Sequence, residues 1–320
     1  MLGKDINEHP EARRKAQKRV KESQLIFSTC IGAGVGLLRS ELFDTVVIDE
    51  ASQQTEPASL VPLVKGATRA VLVGDHVQLR ATVQQNALAQ GFDISLFERL
   101  YGLPERPGVR KVMLDTQYRM HHDICSFSSV EFYDGKLQTA VRDDARPLPP
   151  SKFPWPAAGP KSSSRKVFIP CSDPEDLGRK SKSNKGQAIL CREVCKLLTT
   201  HAETGEALKD FSIAVLSPYV RQAELLRGML PGIEIASVDS FQGKEADIIV
   251  YPTVRCNLKR ESGFLKDMRR LNVAMTRAKA GMILIGHNET LFGGDEDKES
   301  GDVWRRLVRS CEIVEMSPVV

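Results

Sequence analysis

The sequence predicts an α/β fold built on parallel sheets, and three observations carry that prediction. Short apolar runs recur along the chain as continuous stretches rather than as alternating ones, which is the pattern of strands covered on both faces. Helix-type stripes separate several of these runs. Several runs also end in polar residues of a matching kind, at the carboxyl edge where open α/β sheets hold their ligands.

In chain order the predicted strands are LIFSTC (25–30), TVVID (45–49), AVLVGD (70–75), KVMLD (111–115), KVFIP (166–170), SIAVLS (212–217), IEIASV (233–238), DIIVYPTV (247–254) and GMILIG (281–286). Between them, Leu190, Val194, Leu197 and Leu198 fall on one helical stripe. Asn184 followed by Gln187 marks the start of that helix as a capping box. The stretch YGLPERPGVR (101–110) holds two prolines and two glycines, and is expected as a domain boundary. The segment 146–165 holds six of the 17 prolines, so it reads as a surface loop of the second domain.

The chain has 320 residues, enough for two domains of ordinary size. A net charge of +4 does not by itself indicate a nucleic-acid partner. No apolar run reaches the roughly 18–20 residues that span a membrane, and the charged amino-terminal stretch has no signal-peptide core. The seven cysteines form no CxxC pair, which suits a reducing compartment and places the chain in the cytoplasm or nucleus. Cys191 and Cys195 are expected as core residues rather than metal ligands.

Chemistry concentrates at the strand ends. One strand runs into Asp49-Glu50, the next into GDHVQL with Asp75 and Gln78. Downstream come QYRMHH with Tyr118 and Arg119, SVDSFQGKEAD with Gly243 and Glu245, and RRLNVAMTRAK with Arg277. Together with STCIGAG (28–34) and LSPYVRQ (216–222), these pieces in this order resemble the superfamily 1 helicases, in the branch of the nonsense-mediated-decay RNA helicase and senataxin. The resemblance covers about residues 20–290.

That resemblance implies two RecA-like domains of P-loop NTPase type, the first incomplete, with ATP between them. The implied division is 1–107 for the first domain, 108–290 for the second and 291–320 for a carboxyl-terminal tail. Asp49 would hold Mg²⁺, Glu50 would orient the attacking water, and Gln78 would sense the γ-phosphate. Arg119 and Arg277 would neutralise charge on the transferring group, a contribution of roughly 10³–10⁵ in rate. Tyr118 would stack on the adenine, with Gly243 and Glu245 near the ribose or phosphates. Thr29, Pro218, Tyr219, Ser240 and Arg255 match positions that face single-stranded RNA or DNA, although ordinary turn and core roles suit each of them equally well. The basic run 12–21 reads as a solvated helix rather than a nucleic-acid arm.

Three departures from the family pattern stand out. Arg80 and Ala81 replace the prolines of GDxxQLPP, which would loosen the turn or add a charge. His122 replaces the proline of QYRMHP. No GxxxxGK[ST] occurs: the Gly-Lys pairs at 3–4, 135–136 and 243–244 are followed by Asp5, Leu137 and Glu245. The lysine cradle for the β- and γ-phosphates is therefore not among these residues. Two functions follow as expectations, an ATP-dependent helicase part or a non-hydrolysing module that binds nucleic acid or protein.

Overall fold

Apolar runs become strands only where a neighbouring strand offers its backbone groups, and the computed structural model shows this in two separate units. It describes residues 10–105, 107–157, 163–178, 181–293 and 298–316. The units are Met1–Lys111 and Val112–Val320, each with a parallel sheet of its own.

In the first unit, helix α1 (Pro10–Glu22) buries none of its residues, as its charge-rich sequence requires. Strand β1 (Thr45–Ile48) pairs in parallel with β2 (Arg69–Leu72), Ile48 opposite Leu72. Val46 and Ile48 point inward with Ala51, against Leu63 of helix α2 (Glu56–Leu63) and Phe97 of helix α3 (Leu96–Gly102). The period-2 alternation then turns Val47 outward, where it is 65% exposed. Residues 25–30, expected as a strand, form none. Among the described residues no strand lies beside them to complete a ladder, and Leu25 and Phe27 are exposed.

The second unit is built on six parallel strands: β3 (Ser163–Pro170), β4 (Ile213–Ser217), β5 (Glu234–Ser237), β6 (Ala246–Pro252), β7 (Ala278–Gly286) and β8 (Cys311–Ile313). Their spatial order is β8-β3-β7-β6-β4-β5. Alternation sorts the central residues onto two faces. Ile248, Val250, Ile283 and Ile285 pack against Leu190, Cys191, Val194, Cys195 and Leu198 of helix α5 (Lys185–Leu198) and Leu226 of helix α6 (Val220–Met229). Helices α4 (His122–Phe132) and α7 (Met268–Met275) cover the other face. Both faces are dry, which is why these strands read as unbroken apolar runs. Cys191 and Cys195 are core residues, and burial pushes the Cys195 thiol up to about 12.

Four details differ from the sequence reading. Asn184 caps α5 by accepting from the Gln187 N–H at 2.9 Å, but the Gln187 side chain does not reach back; its Oε1 accepts from Val254 N at 2.7 Å. The run 111–115 is not a strand. Regular pairing begins only at Thr116–Gln117 with Gln138–Thr139, and Val112 and Leu114 are exposed. The proline-rich segment is irregular yet not wholly superficial, because Phe153 is buried and packs edge-on against Trp155 over the sheet. Residues 158–162 of that segment lie outside the described ones. The stretch expected as a tail adds helix α8 (Lys298–Arg309) and edge strand β8 to the sheet, with Trp304 fully buried, because every third or fourth residue of that helix is apolar. No described helix is long and apolar enough to cross a membrane.

Candidate functional site

In the first unit, the site grows from the ends of β1 and β2. Val73 N donates to Ile48 O at 2.9 Å and Ala51 N donates to Val73 O at 2.7 Å, so the ladder continues past the strands into both loops. Gly74 permits this closeness: a methyl group there would sit 2.8 Å from Ser52 N. Ser52 Oγ then accepts from Asp75 N at 3.1 Å. The carboxylate pair Asp49-Glu50 is thereby fixed beside the GDHVQ turn. Both acids are exposed, and Glu50 sits in the left-handed region at φ 50. Asp49 Oδ1 accepts from Glu50 N at 3.0 Å, and Glu50 Oε2 accepts from Gln53 Nε2 at 2.5 Å.

Asp75 organises the following turn. One carboxylate oxygen accepts from Val77 N at 3.2 Å and the other from Gln78 Nε2 at 2.6 Å, which aims the glutamine. Arg80 neither loosens the turn nor adds a bare charge. Its guanidinium donates to Asp93 at 2.7 Å and through Nε to Glu98 at 2.7 Å, tying the turn to α3. Thr29, also in this unit, is exposed and accepts from Gly32 N through its hydroxyl at 3.0 Å.

The second unit gathers a cationic cluster from three stretches of chain. Gln117 folds the QYR turn: its Oε1 accepts from Arg119 N at 2.7 Å and Met120 N at 2.8 Å, while its Nε2 donates to Met120 O at 2.9 Å. Tyr118 is left 73% exposed at the tip. Arg119 donates to Glu245 Oε2 at 2.6 Å and to Thr276 O at 2.9 Å. Lys279 meets the other Glu245 oxygen at 2.8 Å. Lys279 first and Arg119 second hold the Glu245 carboxyl at about 2. Gly243, at φ 80, makes the turn that presents Glu245.

Arg277 reaches the same Thr276 from the other side, donating to its hydroxyl at 3.1 Å and to Val273 O at 3.1 Å. It is 4% exposed, so its charge is held in protein rather than in water. Arg119, Glu245, Arg277 and Lys279 thus form one cluster, with Tyr118 at its margin. Gln117 and Lys279 were not singled out from the sequence, although both lie inside motifs that were.

The residues matched to a nucleic-acid side do not behave alike. Pro218 is half-buried and Ser240 exposed. Tyr219 and Arg255 are buried at 3% and 4%. Arg255 donates to Glu175 at 2.7 Å, a carboxylate that also accepts from Cys256 N at 2.9 Å, and the Tyr219 hydroxyl accepts from Phe264 N at 3.3 Å. Both side chains are enclosed by protein, and the Arg255 charge is neutralised by a buried carboxylate.

Two units, each with a parallel sheet of its own and polar residues gathered at strand ends, have the architecture of RecA-like P-loop domains. Comparison with known proteins narrows that class. Two family models, each described as an AAA domain, match residues 3–86 and 92–289. The regulator of nonsense transcripts 1 homolog of Drosophila melanogaster is 39% identical over 309 residues, 90% of this chain and 25% of that protein. The ATP-dependent helicase NAM7 of Saccharomyces cerevisiae is 37% identical, covering 87% of this chain and 29% of its own length. The chain belongs to the AAA-domain family of superfamily 1 helicases, in the branch of the regulators of nonsense transcripts. It spans about a quarter of the length of these relatives. Among solved structures, the arterivirus nonstructural protein 10 helicase with DNA matches 82% of this chain and 42% of its own, at 14% identity and a TM-score of 0.37.

Proposed function

We propose that this chain is the part of an ATP-dependent helicase that supplies the hydrolytic acids and the charge-neutralising arginines, acting on single-stranded RNA or DNA. The observation that carries the proposal is the locking of Asp49-Glu50 beside Asp75 and Gln78 through Gly74 and Ser52. The relatives named as ATP-dependent helicases support it. Two exposed carboxylates at a strand end fit Mg²⁺, which prefers oxygen donors and keeps several waters. Asp49 would hold that ion through water, and when bound it would supply charge neutralisation at the phosphate oxygens.

The chain's own residues do the rest. Glu50 orients and accepts a proton from the attacking water. Gln78, aimed by Asp75, reads the γ-phosphate. Arg119 and Arg277 stabilise charge that builds on the transferring group. Tyr118 offers an open ring to the adenine. Glu245 acts by holding Arg119 and Lys279 in place, with Gly243 shaping its turn. Thr29, Pro218 and Ser240 would touch the strand mainly through its backbone, which makes binding salt-sensitive and sequence-independent. Seven free cysteines suit a cytoplasmic or nuclear protein.

The test is ATP turnover by the full encoded chain, with and without single-stranded RNA, beside Glu50→Gln. The proposal expects stimulation by RNA and a loss of at least about 100-fold in the variant. Unchanged turnover in Glu50→Gln removes the mechanism. The lack of GxxxxGK[ST] in residues 1–320 favours a second reading, a helicase-derived module that binds without hydrolysing. Single-strand binding with no turnover by the full encoded chain is its signature.

A further inference from the structure

Phe264 is a large apolar ring that is 55% exposed, on a turn that is otherwise anchored on every side. The turn, Gly263–Lys266, follows β6 and lies against Tyr219, the residue two past the end of β4. It is therefore at the carboxyl edge of the second sheet, where α/β proteins take their ligands. Gly263 sits at φ 59, and a methyl group there would collide with Arg255 and come within 2.8 Å of the Tyr219 hydroxyl. That hydroxyl accepts from Phe264 N at 3.3 Å. Leu265 is buried, and its carbonyl accepts from Trp304 Nε1 at 2.9 Å. Backbone bonds and packing thus fix the turn from below while the Phe264 ring stays open.

Two groups flank the ring. The Tyr219 ring is 5.4 Å away and tilted by 45°. The Arg270 guanidinium lies 5.9 Å from the ring centre, held by Asp267 at 2.7 Å and Asp239 at 3.1 Å. A rigid aromatic face beside a fixed cation matches what a nucleobase meets in proteins that bind single strands. A protein partner requires several hundred Å² of contiguous apolar surface, whereas this is one ring bordered by ion pairs.

We propose that Phe264 is a base-stacking platform for single-stranded nucleic acid, an assignment that rests on the strand-binding reading above. Such a contact adds sequence-tolerant affinity without neutralising any phosphate. Its loss weakens binding and leaves the salt dependence untouched, unlike the loss of a lysine or arginine.

The experiment measures anisotropy of a labelled oligouridylate and a labelled oligothymidylate with the full chain across a salt series. Phe264→Leu keeps apolar surface under the turn but cannot stack, and is expected to weaken binding roughly 5- to 150-fold with an unchanged salt slope. Phe264→Tyr restores affinity, and the emission of Phe264→Trp is quenched when oligouridylate is added. If Phe264→Leu binds as tightly as the wild type, the platform is refuted while strand binding stands. If the wild type binds neither oligonucleotide, the strand-binding reading falls and takes the platform with it. A changed salt slope in Phe264→Leu also refutes stacking, by showing that the variant lost phosphate contacts instead.

Discussion

Replacing Glu245 by glutamine removes one charge from a three-way contact, and the structure sets the size of the effect. The carboxylate lies 2.8 Å from Lys279 Nζ and 2.6 Å from Arg119 Nε. These cations hold it at about 2, against an ordinary 4.5. The folded value lies below the unfolded one, so the unfolded chain takes up the proton first as pH falls. The stabilisation is therefore fully present above 4.5 and fades as pH drops toward about 2. In a dry interior the gap corresponds to about 3 kcal/mol. Glu245 is 40% exposed, and solvent screening reduces this to about 1 kcal/mol. Urea unfolding of wild type and Glu245→Gln is the assay. The variant is expected to be less stable by about 1 kcal/mol at neutral pH, with the difference shrinking toward pH ~3 and in high salt. A difference that stays constant with pH refutes the ion-pair reasoning and points to packing alone.

Two further perturbations test the framework around the site. Arg80→Ala leaves Asp93 and Glu98, 9% and 17% exposed, without their shared cation; a loss of about 2–3 kcal/mol is expected in urea unfolding, and Arg80→Lys should recover only part of it, since an ammonium cannot fork to both acids. Gly281→Ala places a methyl group 2.7 Å from Trp155 and 2.9 Å from Ile248; it should cost about 1–3 kcal/mol and shift the Trp155 emission.

The second sheet was legible in the sequence because burial on both faces writes itself as an unbroken run, as in Ile248–Tyr251. The runs 25–30 and 111–115 look the same and are not strands, because an apolar run does not say whether a neighbour is present to pair with it. Trp304 and its helix read as a tail because the apolar stripe is set among seven charged or polar residues. At the site, Asp49, Glu50, Gln78, Arg119 and Arg277 stood out by motif. Their clamps did not, because Ser52 meets Asp75 across 23 residues and Glu245 meets Arg119 across 126. Arg255 shows the limit most clearly. An arginine after a strand suits a phosphate or a buried carboxylate equally, and the carboxylate that Arg255 meets in the fold, Glu175, lies 80 residues away.

Under the proposed function, strand separation requires the acids and the arginines together. The most direct measurement is unwinding of a duplex with a single-stranded tail by the full encoded chain, with ATP, without ATP, and with Arg277→Ala. A helicase role predicts separation only with ATP, and a loss of roughly 10³-fold or more when Arg277 is removed, while the variant still binds the tail. Unwinding that needs no ATP, or that survives the loss of Arg277 at the wild-type rate, contradicts it.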